Sequence, residues 1–84
     1  MNYIRAHIRL NNTAEASEFV SLLNADGTVA RYTIECADKT QRVNARSLLG
    51  VLYALTDFND EMYFVNETDP SFIPTCVDRY RVNA

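Results

Sequence analysis

The side chains that could do covalent or acid–base chemistry are few and scattered. His7 is the single histidine and sits in "YIRAHIRL", in the middle of an alternating segment, which makes it a solvent-facing residue on a charged strand. Cys36 and Cys76 fit no metal-ligand spacing and read as buried thiols acting as small hydrophobes. Asp57, Asp60 and Glu61 in "DFNDE" lack the acidic spacing and central glycine of a calcium loop, so a solvated loop is expected. Ser17, Ser21 and Asp26 have no histidine base to complete a hydrolytic triad. There is no glycine-rich phosphate loop. No metal, no cofactor and no enzymatic activity are therefore expected. One serine stands apart: Ser47, at the knot between "QRV" and the apolar "LLGVLYAL". A serine where a strand turns into a helix accepts an N–H from the next turn, worth about 1 kcal/mol.

The elements that must position these residues follow from periodicity. Ile4, Ala6, Ile8 and Leu10 alternate with Arg5, His7 and Arg9, a half-buried strand of an antiparallel sheet. Asn12 as N-cap with Glu15 three residues on predicts a capping box and a helix whose buried stripe is Ala16, Phe19, Val20 and Leu23. Gly27 is the left-handed stop. "TVARYTIEC" is a strand with Ala30, Tyr32, Ile34 and Cys36 on one face, "ADKT" a hairpin connection, and "TQRVN" a return strand. The helix beginning at "ARSLLG" is apolar over much of its circumference, and Gly50 inside it calls for a close approach to a sheet or helix. "EMYFVN" is a last strand. A third helix starting near Ser71 would place Pro74 in its first turn and Ile73, Cys76, Val77 and Tyr80 on one face. The order β-α-β-β-α-β-α with a central hairpin predicts an α+β open-faced β-sandwich, a four-stranded antiparallel sheet with three helices on one face.

With 84 residues the chain is expected to form one domain, residues 1–84. Its 48% hydrophobic content supplies a core, and a net charge of −3 argues against nucleic acid as a partner. No apolar run is long enough for a bilayer, and "MNYIRAHIRL" carries arginines and no small-residue cleavage site. The expectation is no membrane and a cytoplasmic location.

The element order and the segment Gln41–Leu55 together resemble the phosphocarrier protein HPr of the bacterial sugar phosphotransferase system. That family carries a stretch close to T-V-N-x-K-S-I-M-G-V-M-x-L. Here Ser47, Gly50 and Val51 match outright, and Arg46 and Leu49 are conservative. The resemblance covers about residues 3 to 80. It implies a regulatory phosphorylation site at Ser47, with Arg46 and Arg42 close by and the helix amino end favouring the charge. It also implies a partner surface on Arg46, Leu48 and Leu49, with Asn12 alongside, because the two helix starts lie on one rim in HPr-like folds.

The departure matters as much. HPr proteins place the phosphoryl-accepting histidine just after the first strand, in a G-(I/L)-H-(A/T)-R-P segment. This chain has "RLNNTAEASEF" there, with about Asn12 at the histidine's place, Ala14 at the arginine's and Glu15 at the proline's. A phosphocarrier histidine needs a ring nitrogen and nearby donors from an arginine and a helix amino end. Asn12 has no nucleophilic nitrogen, and Glu15 brings a negative charge. The resemblance thus implies an HPr-like protein without phosphocarrier activity, acting on a protein partner from the phosphotransferase system or catabolite control. Two other readings stay open: a phosphocarrier using an atypical site, and an interaction module of unrelated ancestry. Strand order separates the last, since HPr-like sheets run 1-4-2-3 and ferredoxin-like sheets 4-1-3-2.

Overall fold

The alternation at the amino end does make a strand, but a short one. In a computed structural model that describes residues 4–58 and 61–82, β1 spans Ala6–Ile8. The elements α1 (Thr13–Ala25), β2 (Tyr32–Glu35), β3 (Arg42–Asn44), α2 (Leu48–Asp57) and β4 (Met62–Asn66) follow, and a 3₁₀ helix covers Thr75–Tyr80. The four strands form one antiparallel sheet in the order β1-β4-β2-β3. This is an α+β open-faced sandwich, as the periodicities require. Its order is 1-4-2-3 and not the ferredoxin-like 4-1-3-2.

One face of the sheet carries Ala6, Ile8, Tyr32, Ile34, Met62 and Phe64. They form a single core with Ala16, Phe19, Val20 and Leu23 of α1, Val51 and Ala54 of α2, and Val77 and Tyr80 of the 3₁₀ helix. Phe19 anchors it with edge-to-face contacts to Phe64 at 6.2 Å and Tyr80 at 5.3 Å.

α1 begins where its caps say. Asn12 Oδ1 accepts from the Glu15 N–H at 2.9 Å. The return bond of the capping box reaches one residue further back than expected: Glu15 Oε1 accepts from the Asn11 N–H at 2.9 Å. The helix stops at Ala25, and Gly27 takes φ +76°, the left-handed conformation only glycine adopts without strain.

Three expectations need correction. β2 is buried on both faces, not one, because β4 and β3 flank it and arginine side chains close over its outer face. Cys36 and Cys76 are half-buried rather than buried, and the Cys36 thiol donates to Asp38 Oδ1 at 3.0 Å. The third helix does not start near Ser71. Proline forces the residue before it out of the helical region, so the helix forms only after Pro74, with the Val77 N–H on the Pro74 carbonyl at 3.1 Å. Its tighter three-residue repeat buries Val77 and Tyr80 and leaves Ile73 and Cys76 half-buried.

Gly50 meets the expectation of close packing. A Cβ at this position would lie 3.0 Å from the Asn44 carbonyl oxygen and 3.4 Å from Val43 Cβ, so α2 rests directly on β3. Gly50→Ala should therefore forfeit the gain of about 1 kcal/mol in helix propensity and lose about 1 to 2 kcal/mol to the clash. A urea midpoint at or above the parent's would show that β3 yields instead.

Candidate functional site

Among the described residues His7, the two cysteines, and Ser17 and Ser21 lie on separate segments, and the turn from β3 into α2 holds the serine that the sequence sets apart. Ala45 is fully buried and its N–H donates to the Tyr32 carbonyl at 3.0 Å, which fixes the exit from the sheet. The Ser47 N–H then donates to the Asn44 carbonyl at 3.1 Å, turning the chain. Ser47 is extended, with φ −106° and ψ 122°, and its Oγ accepts from the Gly50 N–H at 3.3 Å. It is half-buried and caps α2, as the sequence predicts. Ser47→Ala should lower stability by about 1 kcal/mol, whereas Ser47→Asp should stay near the parent because its carboxylate also caps and faces the positive helix end. Thermal melts of both variants check this. Unfolding of the Asp variant would reject the cap.

The arginines expected beside Ser47 are engaged elsewhere. Arg46 turns onto the carboxyl end of α1. Its guanidinium donates to the carbonyls of Leu23, Thr28 (3.1 Å) and Ala30 (3.2 Å), and lies over the Tyr32 ring at 4.3 Å. Asp26 is 3.7 Å away. Arg42 pairs with Glu35 at 2.8 Å and Glu67 at 2.7 Å on the outer face of the sheet. Neither side chain is directed at Ser47.

The expected common rim of the two helix starts is not formed. Asn24, near the end of α1, donates through Nδ2 to the Arg46 carbonyl at 3.2 Å, so α2 starts where α1 ends. Asn12 lies at the other end of α1, roughly 20 Å away by helix rise, and is occupied as a cap. Leu48 and Leu49 are both exposed, at 41% and 81%. Tyr53, one turn beyond Leu49, is exposed at 47% and donates through its hydroxyl to Gln41 Oε1 at 2.8 Å.

His7 stacks on Tyr63 with ring centroids 4.7 Å apart, in mid-strand on the outer face, and is half-buried rather than solvent-facing. Of the carboxylate cluster, Asp57 and Glu61 line an open cleft with Cys36 and Asp38, and Asp60 lies outside the described residues. The Cys36 thiol and the Thr40 hydroxyl and N–H hold Asp38 down at about 2. Among the described residues no group of three His, Cys, Asp or Glu side chains could hold a metal ion. Ser17 and Ser21 are exposed on α1. Burial acts to raise the Asp26 carboxyl, but donation from the Thr28 N–H, the Tyr32 hydroxyl and the Thr28 hydroxyl outweighs it and lowers the pKa.

No family model, curated protein or solved structure matches the chain.

Two features arise only from the tertiary fold. Glu35 is fully buried on the outer face, held by Arg5 at 2.7 Å and Arg42 at 2.8 Å, and Arg42 continues the ladder to Glu67. A cross-strand pair of opposite charge, Glu35 opposite Arg42, was its signal, but that signal needs the register. The second is a gathering of Arg9, Arg79 and Arg81 beside the amino half of α1. Arg9 and Arg81 lie far apart in sequence, and only the pairing of Ile8 with Arg81 brings them together.

Proposed function

We propose that the chain is a non-catalytic, HPr-like protein-binding domain that docks a protein partner through the amino half of α2. The observation that carries the docking surface is the exposure of Leu48, Leu49 and Tyr53 on one helix. Exposed apolar side chains gathered on one surface mark interaction sites. Kinship with HPr is supported by the strand order β1-β4-β2-β3 and by the capping serine at the β3–α2 turn. Loss of phosphocarrier activity is supported by Asn12 capping α1 where the family has its histidine, and by His7 lying stacked in mid-strand. A phosphate on Ser47 would have the amino end of α2 but neither Arg42 nor Arg46 turned toward it, so the geometry favours the capping role. A regulatory partner in the phosphotransferase system or catabolite control is the finer form of this reading.

The test is retention of a partner from extract of the source cell on immobilised protein. The parent and Val29→Asp, which alters an exposed apolar residue outside α2, should retain the same partner. Leu49→Asp should lose it more than tenfold with its fold intact. Equal retention by both variants rejects the α2 surface. Acid-labile phosphate appearing with phosphoenolpyruvate and the first enzyme of the system, and vanishing in His7→Ala, rejects the loss of phosphocarrier activity.

A further inference from the structure

The chain's basic residues are Lys39 and seven arginines, in a molecule of net charge −3. Arg5, Arg31, Arg42, Arg46 and Arg81 each have a carboxylate within ion-pair distance. Among the described residues Arg9 and Arg79 have none, and both line the same cleft together with Arg81. The backbone enforces this meeting. The Arg9 N–H donates to the Tyr80 carbonyl at 2.8 Å and the Val82 N–H to the His7 carbonyl at 2.7 Å, so the carboxy-terminal segment runs beside β1. Arg9, Arg79 and Arg81 thereby line one cleft of about 460 Å³, a size suited to a small ligand or a short peptide.

Two carboxylates, Glu15 and Glu18, line the same cleft and keep acceptor capacity beyond the bonds they already make. Glu15 accepts from the Asn11 N–H and side-chain amide, and Glu18 accepts from the Tyr80 hydroxyl. The Arg81 partner, Asp78, is itself exposed and 3.6 Å away, a weak tie. Three arginines against two glutamates leave the lining net positive, which favours an anion as the ligand's charged group. Guanidinium groups match the planar or tetrahedral oxygens of carboxylate and phosphate with paired N–H donors.

We propose that this cleft binds an oxyanion, a phosphate or carboxylate group carried on an extended polypeptide segment, with Arg9 and Arg79 as its principal contacts and Arg81 beside them. The Glu15 and Glu18 wall takes hydrogen-bond donors of the same segment, so a bare anion binds more weakly than one presented on a peptide. The site lies at the end of α1 away from Leu48 and Leu49 and does not depend on the α2 surface.

Nuclear magnetic resonance of the arginine Nε–Hε signals tests it, with three titrants at matched ionic strength: an acetylated Gly-phosphoserine-Gly amide, the same peptide with glutamate at the centre, and sodium chloride. The expected result is saturable movement of the Arg9, Arg79 and Arg81 signals with the phosphopeptide and no such movement with chloride. The double variant Arg9→Gln, Arg79→Gln should weaken binding at least tenfold, and Arg31→Gln should leave it unchanged. All three arginines are exposed, so the amide spectrum should report an intact fold. Comparable binding of the glutamate peptide makes carboxylate sufficient, and preference for the phosphopeptide assigns the source to phosphate. Absence of saturable movement with either peptide, or unchanged affinity in the double variant, overturns the proposal.

Discussion

Arg46→Ala is expected to destabilise the protein by about 3 kcal/mol. The side chain is four-fifths shielded, and its guanidinium satisfies carbonyls of Leu23, Thr28 and Ala30, which close α1 and lead into β2. Hydrogen bonds from a charged donor are worth about 1.5 to 3 kcal/mol each, and shielded carbonyls left without a donor bear a desolvation penalty. Water reaching the Thr28 side recovers part of this, which holds the sum near a single strong term. The cation also stacks on Tyr32, itself fully buried in the core, so truncation removes packing with charge. Arg46→Lys should recover less than half, because one ammonium cannot span three carbonyls set around a planar fork. The control is Arg31→Ala, whose side chain is 78% exposed and 4.0 Å from Glu67, and which should shift stability by less than about 0.5 kcal/mol. Urea denaturation with equal losses for Arg46 and Arg31 would remove the structural role.

That role bears on what the sequence could tell. Arg46 reads there as a surface cation next to Ser47, because its own backbone is at a strand-to-helix turn. Its destination, the carboxyl end of α1, is a consequence of how α2 is laid against α1, which no local pattern encodes. The same holds for Arg42, whose partners come from β2 and the segment after β4. Features decided within a few residues were legible: the caps at Asn12 and Ser47, the left-handed Gly27, the stripe of α1, the close approach at Gly50. The strands are shorter than their alternation, since Leu10 and Ala30 continue the pattern beyond the ladder pairing. Pro74 would cost nothing in a first turn through its missing N–H, but it bars Ile73 from the helical region, so the 3₁₀ helix begins only at Thr75. The arginine cleft and the buried Glu35 were invisible because both are assembled by residues from three or more segments.

Leu22 and Leu23 give the sharpest test of the helix register. Adjacent helical residues point about 100° apart, so the two leucines cannot share the core. Leu23 is fully buried and continues the stripe of Ala16, Phe19 and Val20, whereas Leu22 is half-buried on the rim of the core, by Phe72 and Cys76. Leu23→Ala should cost about 2 to 5 kcal/mol, the lost transfer free energy plus the cavity it leaves against a tightly packed sheet. Leu22→Ala removes a side chain whose outer part already meets solvent, and the loss should be clearly smaller, about 1 kcal/mol. Both substitutions keep helix propensity, since alanine is the better helix former, so the difference between them reports burial alone. The measurement is the pair of urea midpoints at unchanged slope. Equal midpoints would mean that α1 is rotated by about one residue from its described register. The Phe19 contacts with Phe64 and Tyr80, and the core built on them, would then have to be redrawn.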